Sequence, residues 1–340
     1  MDSPCPDAET SGSGTIPVFI LFGPTASGKT EFLEKLFTGA HPLCRGEAVS
    51  ADSMQVYRGM DIGTAKPPAS LCRDLPHHLI DLRDPGEQFN AGDFVRLAGE
   101  ACAEIWNRSA LPVVSGGTGF YLKNFIYGLP GTPPSNPALR AALKAELLRQ
   151  GTGPLVKELE RRDPRAAERI HPNDAHRLLR ALEVCRLGLP LSSFVQGKMP
   201  RRGFRFFAAG IRRPREELYR RIGRRCDDMF RLGLAAEVEG LFKRGYTPRD
   251  PGLRAIGYRE FFVPEASGRW SFTGDSAGVR TLVARNSRRY AKRQETFFST
   301  LVKGSLPPGK GFDAVWLDGD EKALDLLKSL VHTFLTKSVS

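Results

Sequence analysis

The sequence predicts an α/β protein: a three-layer sandwich built on a parallel sheet, with a phosphate-binding loop at its start and an all-helical insertion. Three observations predict it. Short apolar runs that suit strands buried on both faces alternate with helical patterns. The first of these runs opens straight into a glycine-rich loop and then a helix. A proline- and glycine-rich break, "YGLPGTPPSNP" at 127–137, is followed by helical periodicity alone. With 340 residues, 41% of them hydrophobic, the chain has material for a full core and for such an insertion.

Residues 1–14 are small and polar and read as a disordered tail. The start has no cationic stretch ahead of an apolar core, and no later run approaches the ~18 apolar residues of a membrane span, so a cytoplasmic protein with no membrane partner is expected. "PVFILF" at 17–22, flanked by Pro17 and Gly23, is the first buried strand, and a helix follows from about Lys29. Further strands are expected around "EAVSADS", "HHLIDL" and "LPVVSGG". Between the last two, Phe94, Leu97, Ala98, Ala101 and Ile105 share one face of an amphipathic helix that Asn90 can cap. Strand, helix and strand in this order give right-handed crossovers and a core over 15–130.

After the break come "ALRAALKAELLRQG", "GPLVKELERRD" and "NDAHRLLRALEVCRLG", read as a helical insertion over 131–205. The alternating "FRFFAAGI" returns to the sheet, and 215–245 form a long helix or helix pair. The core thus resumes over 206–320 with basic helices, and 321–340 are a C-terminal helix or polar tail.

A net charge of +12 asks for an anionic partner, with nucleic acid ahead of a membrane surface. The six cysteines are scattered without a Cys-x-x-Cys pair or a histidine cluster, which supports neither a disulfide framework nor a zinc site.

Gly23, Pro24, Thr25, Ala26, Ser27, Gly28, Lys29 and Thr30 satisfy G-x-x-x-x-G-K-[ST] between a strand and a helix. Inward-pointing amides at a helix N-terminus cradle an anion, Lys29 neutralises the terminal phosphate, and the Thr30 hydroxyl can hold Mg²⁺. That chemistry selects a diphosphate-bearing ligand. An ATPase or kinase would place a metal-holding Asp at the end of a later strand, but "LPVV" runs into Ser115, Gly116, Gly117 and Thr118. Asp81 is a possible substitute, though a strand-end or turn role suits it better. Asp52, at the carboxyl end of the second strand, is the acidic group best placed beside the loop.

"GPTASGKT", "SADSMQVYRGMDIGTAKP", "GGTGFYLK", "RIHPNDAHRLLRALEV", "AIGYRE" and "AKRQ", in this order and spacing, resemble the tRNA dimethylallyltransferases, also called tRNA isopentenyltransferases. The resemblance runs from about 16 to 300. The first 14 residues match nothing, and no zinc-finger extension follows, which implies the bacterial type. It implies transfer of the dimethylallyl group from dimethylallyl diphosphate to N6 of the adenosine immediately 3′ of the anticodon, with release of diphosphate.

By resemblance, Asp52 is the general base on N6. Thr25, Lys29 and Thr30 with Mg²⁺, together with Arg225, contact the diphosphate; residue types alone do not separate Arg225 from Arg221 or Arg224. The matching RNA contacts are Asp52, Ser53, Met54 and Gln55 around the target base, then Thr118 and Arg140. They continue with His176, Arg177, Leu178, Leu179 and Arg180, with Arg254, Gly257, Tyr258 and Arg259, and with Ser287, Arg288, Lys292, Arg293 and Gln294. The partner is the anticodon stem-loop of a tRNA, bound by a monomer, with the target base turned out of its stack.

Three rivals share the loop. An isopentenyltransferase of free adenine nucleotide would need no RNA-gripping insertion, and a small-molecule kinase, or a nucleotide-switched RNA-binding protein, would bind ATP tightly.

Overall fold

The computed structural model describes residues 14–38, 42–303 and 312–336; the tail expected over 1–14 lies, apart from Gly14, outside them. The chain divides into two compact units, 1–126 with 200–340, and 127–199. The helical unit therefore begins and ends a few residues earlier than the 131–205 marked by the sequence, because Arg201 already bonds its backbone amide to the Ile126 carbonyl.

In the larger unit the chain runs β1 (Ile16–Phe22), α1 (Lys29–Phe37), β2 (Gly46–Ser50), α2 (Ala69–Asp74), β3 (His77–His78), α3 (Ala91–Asn107), β4 (Leu111–Gly116) and α4 (Gly119–Tyr127). β1 is buried at every position but its first, as its unbroken apolar run requires of a strand covered on both faces. In α3, Asn90 Oδ1 accepts from the amides of Gly92 and Asp93, and Asp93 Oδ2 accepts from the Asn90 amide. This reciprocal box stabilises the helix start by about 1 kcal/mol. The strand expected over "HHLIDL" shrinks to His77–His78, since Leu79 (φ 63°) and Asp81 (φ 56°) turn into left-handed backbone and end the ladder.

The smaller unit holds α5 (Pro137–Gln150), α6 (Gly153–Arg162), α7 (Pro164–Ala167) and α8 (Ala175–Arg186) around Leu143, Leu155, Leu159, Leu178 and Leu182. Its hub is Glu183, fully buried on α8. The carboxylate accepts from Ser135 Oγ (2.7 Å), the Asn136 amide (2.6 Å), Arg140 (3.3 Å) and Arg180 (3.0 Å).

The larger unit resumes with β5 (Phe204–Arg212), α9 (Arg215–Arg231), α10 (Leu234–Lys243), the hairpin β6 (Phe262–Pro264) and β7 (Trp270–Phe272), and the long α11 (Ser276–Lys303). It closes with β8 (Phe312–Asp318) and α12 (Glu321–Thr336). The stretch 215–245 is a helix pair broken at Gly233. Of the helix or polar tail expected over 321–340, the helix is what forms, and a sixth strand precedes it: "FDAVWLD" pairs along its whole length with residues 206–212 of β5, and Leu327, Val331 and Phe334 of α12 join the core.

The main sheet is parallel throughout, in the order β3-β2-β4-β1-β5-β8. Its carboxyl ends all open on one edge. There the chain out of β1 forms the glycine-rich loop and the chain out of β2 delivers Asp52, the location at which such sheets take their ligands.

Candidate active site

The loop 23–30 joins β1 to α1, so the N-terminal amides and dipole of α1 face the cavity that Gly28, Lys29 and Thr30 line. Ala26 adopts left-handed backbone (φ 62°), which costs a non-glycine residue about 1 kcal/mol. Two arginines from beyond β5 hold it there. Arg221 Nε donates to the Ala26 carbonyl (2.8 Å) and Arg213 Nε to the Ser27 carbonyl (2.8 Å). Carbonyl dipoles that would repel an anion are thereby occupied by cations.

Lys29 Nζ donates to the carbonyls of Gly23 (3.0 Å) and Pro24 (2.9 Å). Burial, and after it the nearby Arg225 guanidinium, lower the Lys29 ammonium to about 8, with Asp52 pulling the other way. Burial likewise lowers Arg225, again opposed by Asp52. The three charges therefore act on one another across a single space. That space is a cavity of about 460 Å³ walled by Thr25, Lys29, Thr30, Asp52 and all three candidate arginines, Arg221, Arg224 and Arg225. Arg221 is committed to Ala26 and to Glu31 (2.5 Å), whereas Arg225 reaches further, into a second cavity.

The second cavity, about 280 Å³, is lined by Ser53, Met54, Arg254, Arg259, Ser287 and Arg293, with apolar surface from Ile222, Met229, Ile256 and Val283. Five residues line both: Thr25, Asp52, Thr64, Arg225 and Tyr290. Asp52 Oδ1 accepts from the Met54 amide (2.9 Å), which fixes the carboxylate in that common wall. Burial and the Asp52 charge raise the Tyr290 phenol to about 12, so it stays protonated beside the carboxylate.

The other residues marked by sequence fall into three groups. Arg288, Lys292 and Arg293 are exposed on α11, as are His176 and Arg177 on α8. Arg254 and Arg259 reach the second cavity while bonding to the Arg249 carbonyl (2.6 Å) and to Glu260 (3.2 Å). The third group is engaged in contacts within the protein. Leu178 and Leu179 are core residues of the helical unit, and Arg140 and Arg180 are tied to Glu183. Tyr258 is wholly buried with its hydroxyl on Glu237 (2.6 Å), and the Gly257 amide donates to Glu260 (2.9 Å). Gln55 turns its amide onto the carbonyls of Thr64 and Ala65. Thr118 Oγ1 accepts from the Ser53 amide (3.1 Å). Gln294 is buried against the loop itself.

Asp81 does not approach the loop; it pairs with Lys66 (2.5 Å), which also holds Asp61 and the Tyr57 carbonyl. Among the described residues no three His, Cys, Asp or Glu side chains cluster as a metal site.

Sequence reasoning missed Arg213 and Glu237. Glu237 accepts from the amides of Asp61, Ile62 and Gly63 and from the Tyr258 hydroxyl, pinning the turn that delivers Thr64. Its only local signal is the glycine it serves: a Cβ on Gly63 would lie 2.4 Å from the Tyr258 ring.

The sequence profile of the IPP transferase family matches residues 55–301. A tRNA dimethylallyltransferase of Geobacter sulfurreducens is 44% identical over 290 residues, covering 85% of this chain and 90% of that protein. A second, from Pelobacter propionicus, is 41% identical over 93% of this chain and 97% of the relative. Among solved structures, the tRNA isopentenylpyrophosphate transferase of Bacillus halodurans aligns with a TM-score of 0.63 at 34% identity, over 94% of this chain and 97% of that one. A eukaryotic dimethylallyltransferase acting on tRNA aligns with a TM-score of 0.71 at 25% identity, over 91% and 75%. With a profile match over most of its length and relatives above 40% identity along nearly all of it, the chain belongs to the IPP transferase family.

Proposed function

We propose that the protein transfers the dimethylallyl group of dimethylallyl diphosphate to N6 of the adenosine immediately 3′ of the anticodon (position 37) in tRNA. One observation carries this reading: an anion-binding cavity and a second, partly apolar cavity rimmed by arginines meet at a wall containing a single carboxylate, Asp52. The first suits a diphosphate. The second suits a turned-out purine whose flanking phosphates need cations.

The chemistry divides between the two sides of that wall. The N6 lone pair is delocalised into the adenine ring, so the amine needs a base and an electrophile whose leaving group is already being drawn off. Asp52 takes the N6 proton as the N6–C1 bond forms. The C1–O bond breaks and its electron pair leaves with the diphosphate, whose growing charge is met by Lys29, Arg225 and the amides of α1. Thr25 and Thr30 orient the phosphates.

Mg²⁺ fits this site as a substrate-borne ion. The protein offers the Thr30 hydroxyl rather than a carboxylate cage, and magnesium is commonly held by one or two protein oxygens plus phosphates. When bound there it supplies charge neutralisation to the diphosphate.

The exposed Arg177 and His176 of the helical unit, and Arg288, Lys292 and Arg293 of α11, contact the anticodon arm, and the protein acts as a monomer on cytoplasmic tRNA. Among the described residues no helix is long and apolar enough to cross a membrane. Mass spectrometry of nucleosides from tRNA incubated with the protein, Mg²⁺ and dimethylallyl diphosphate tests the proposal. The expected product is N6-dimethylallyladenosine. Unmodified adenosine in tRNA alongside prenylated AMP, or ADP formation with a small acceptor, would replace this reading with a rival.

A further inference from the structure

Helix α11 sends side chains into both cavities. Ser287, Tyr290 and Arg293 line the acceptor side, and Tyr290 and Gln294 the donor side. Their spacing of three and four residues puts them on one helix face. Gln294 differs from its basic neighbours in being 6% exposed and in using both ends of its amide. Oε1 accepts from the Thr25 amide (2.9 Å), and Nε2 donates to the Gly117 carbonyl (2.8 Å). The fit is tight: a Cβ on Gly117 would lie 2.3 Å from Gln294 Nε2. One turn earlier, the Tyr290 hydroxyl faces the side chains of Thr118 and Gln294, and Thr118 in turn receives the amide of Ser53, next to Asp52.

A single buried amide thus bridges the phosphate loop and the loop after β4 on which the Asp52 turn rests. Only a side chain with a donor and an acceptor of this length serves both. Alanine leaves the Thr25 N–H and the buried Gly117 carbonyl without these partners. Glutamate keeps the bond from Thr25 but sets an anionic oxygen against the Gly117 carbonyl and beside the diphosphate.

We propose that Gln294 is a positioning residue for the prenyl donor, setting Thr25 and the phosphate loop in register with Asp52, and is not an RNA contact. The inference rests on the transfer reaction proposed above for the same site.

The test compares wild type, Gln294→Ala and Gln294→Glu. Dissociation constants are measured by calorimetry for dimethylallyl diphosphate with Mg²⁺, and by fluorescence anisotropy for an anticodon stem-loop without donor. Loss of the two bonds in Gln294→Ala weakens donor binding about tenfold or more, with stem-loop affinity held within about twofold. Gln294→Glu shows the same donor defect at neutral pH. Relative to wild type, that defect shrinks as pH falls through the carboxyl range, because the protonated acid donates to the Gly117 carbonyl again.

A stem-loop constant that rises about tenfold while donor affinity holds would restore the RNA-contact role and overturn the proposal. So would variants that move neither constant, or a glutamate defect indifferent to pH. If Gln294→Ala loses its cooperative melt, Gln294→Glu, which keeps one bond, decides alone. Failure of the reaction itself is seen separately, as wild type that binds both ligands and yields no prenylated nucleoside.

Discussion

Asp52 is useful because its surroundings leave it fixed rather than buried. One carboxylate oxygen is tied to the Met54 amide, and the side chain stands between Lys29 and Arg225 on one side and the purine-sized cavity on the other. Replacing it with asparagine keeps the shape and removes the proposed base. Single-turnover transfer by Asp52→Asn is expected to slow by roughly 10²–10⁴, with stem-loop affinity close to wild type. An equal loss in binding and rate would place Asp52 in recognition instead.

Lys29 gives a second prediction at this scale. Its ammonium is lowered to about 8, so the free protein carries the cation below that pH and sheds it above. Donor affinity should therefore be level up to about pH 8 and weaken beyond it, as calorimetry across pH 7–10 would record. Lys29→Met should bind weakly and without that bend.

Among the elements, α8 carries the clearest dependence on one side chain. Burial acts to raise the Glu183 carboxyl, but bonds from Ser135, Arg180 and Asn136 outweigh it and hold the group below its ordinary 4.5. A depressed carboxyl contributes stability that is present above the unfolded value and is lost as pH falls through the folded one. The helical unit should accordingly loosen at acid pH, below the ordinary 4.5 of the carboxyl. Glu183→Ala, which strands two arginines, a hydroxyl and an amide, should cost about 3 kcal/mol or more, seen as hydrogen exchange over 135–186 rising before that of β1 and β5.

The same elements mark how far the sequence could be read. Continuous apolar runs leading into glycines exposed β1 and β4, and the Asn90 box exposed α3, because burial and capping leave local patterns. β3 was overestimated, since nothing in "HHLIDL" announces left-handed backbone at Leu79 and Asp81. β8 was missed because its apolar run is short and it completes the sheet only through contact with β5, about a hundred residues earlier in the chain. In the site, motif residues could be placed but their facing could not. "AIGYRE" and "AKRQ" carry the cavity-lining Arg259 and Arg293 alongside buried residues, Tyr258 and Gln294, whose partners Glu237 and Thr25 lie elsewhere in the sequence.

For the whole molecule, a surplus of twelve positive charges is the property that an RNA partner reads first. Affinity for tRNA should fall linearly in a plot of log K against log salt. Removing one of the cations proposed to contact the RNA, as in Arg293→Ala or Lys292→Ala, should flatten that slope by about 0.7–0.9. Arg140→Ala, whose guanidinium is tied to Glu183, should leave the slope alone and lower the melting temperature instead.

The wall common to the two cavities carries a consequence for ligand design. A molecule spanning it occupies both compartments at once, so its second half binds at an effective concentration set by the tether rather than by diffusion. An adenine joined through N6 to a five-carbon chain ending in a non-hydrolysable bisphosphonate should outcompete adenosine and bisphosphonate supplied as separate molecules by about 10²-fold or more. Lengthening the tether beyond the thickness of the Thr25–Asp52–Tyr290 partition should erase much of that advantage, making chain length a molecular ruler for the enzyme's interior.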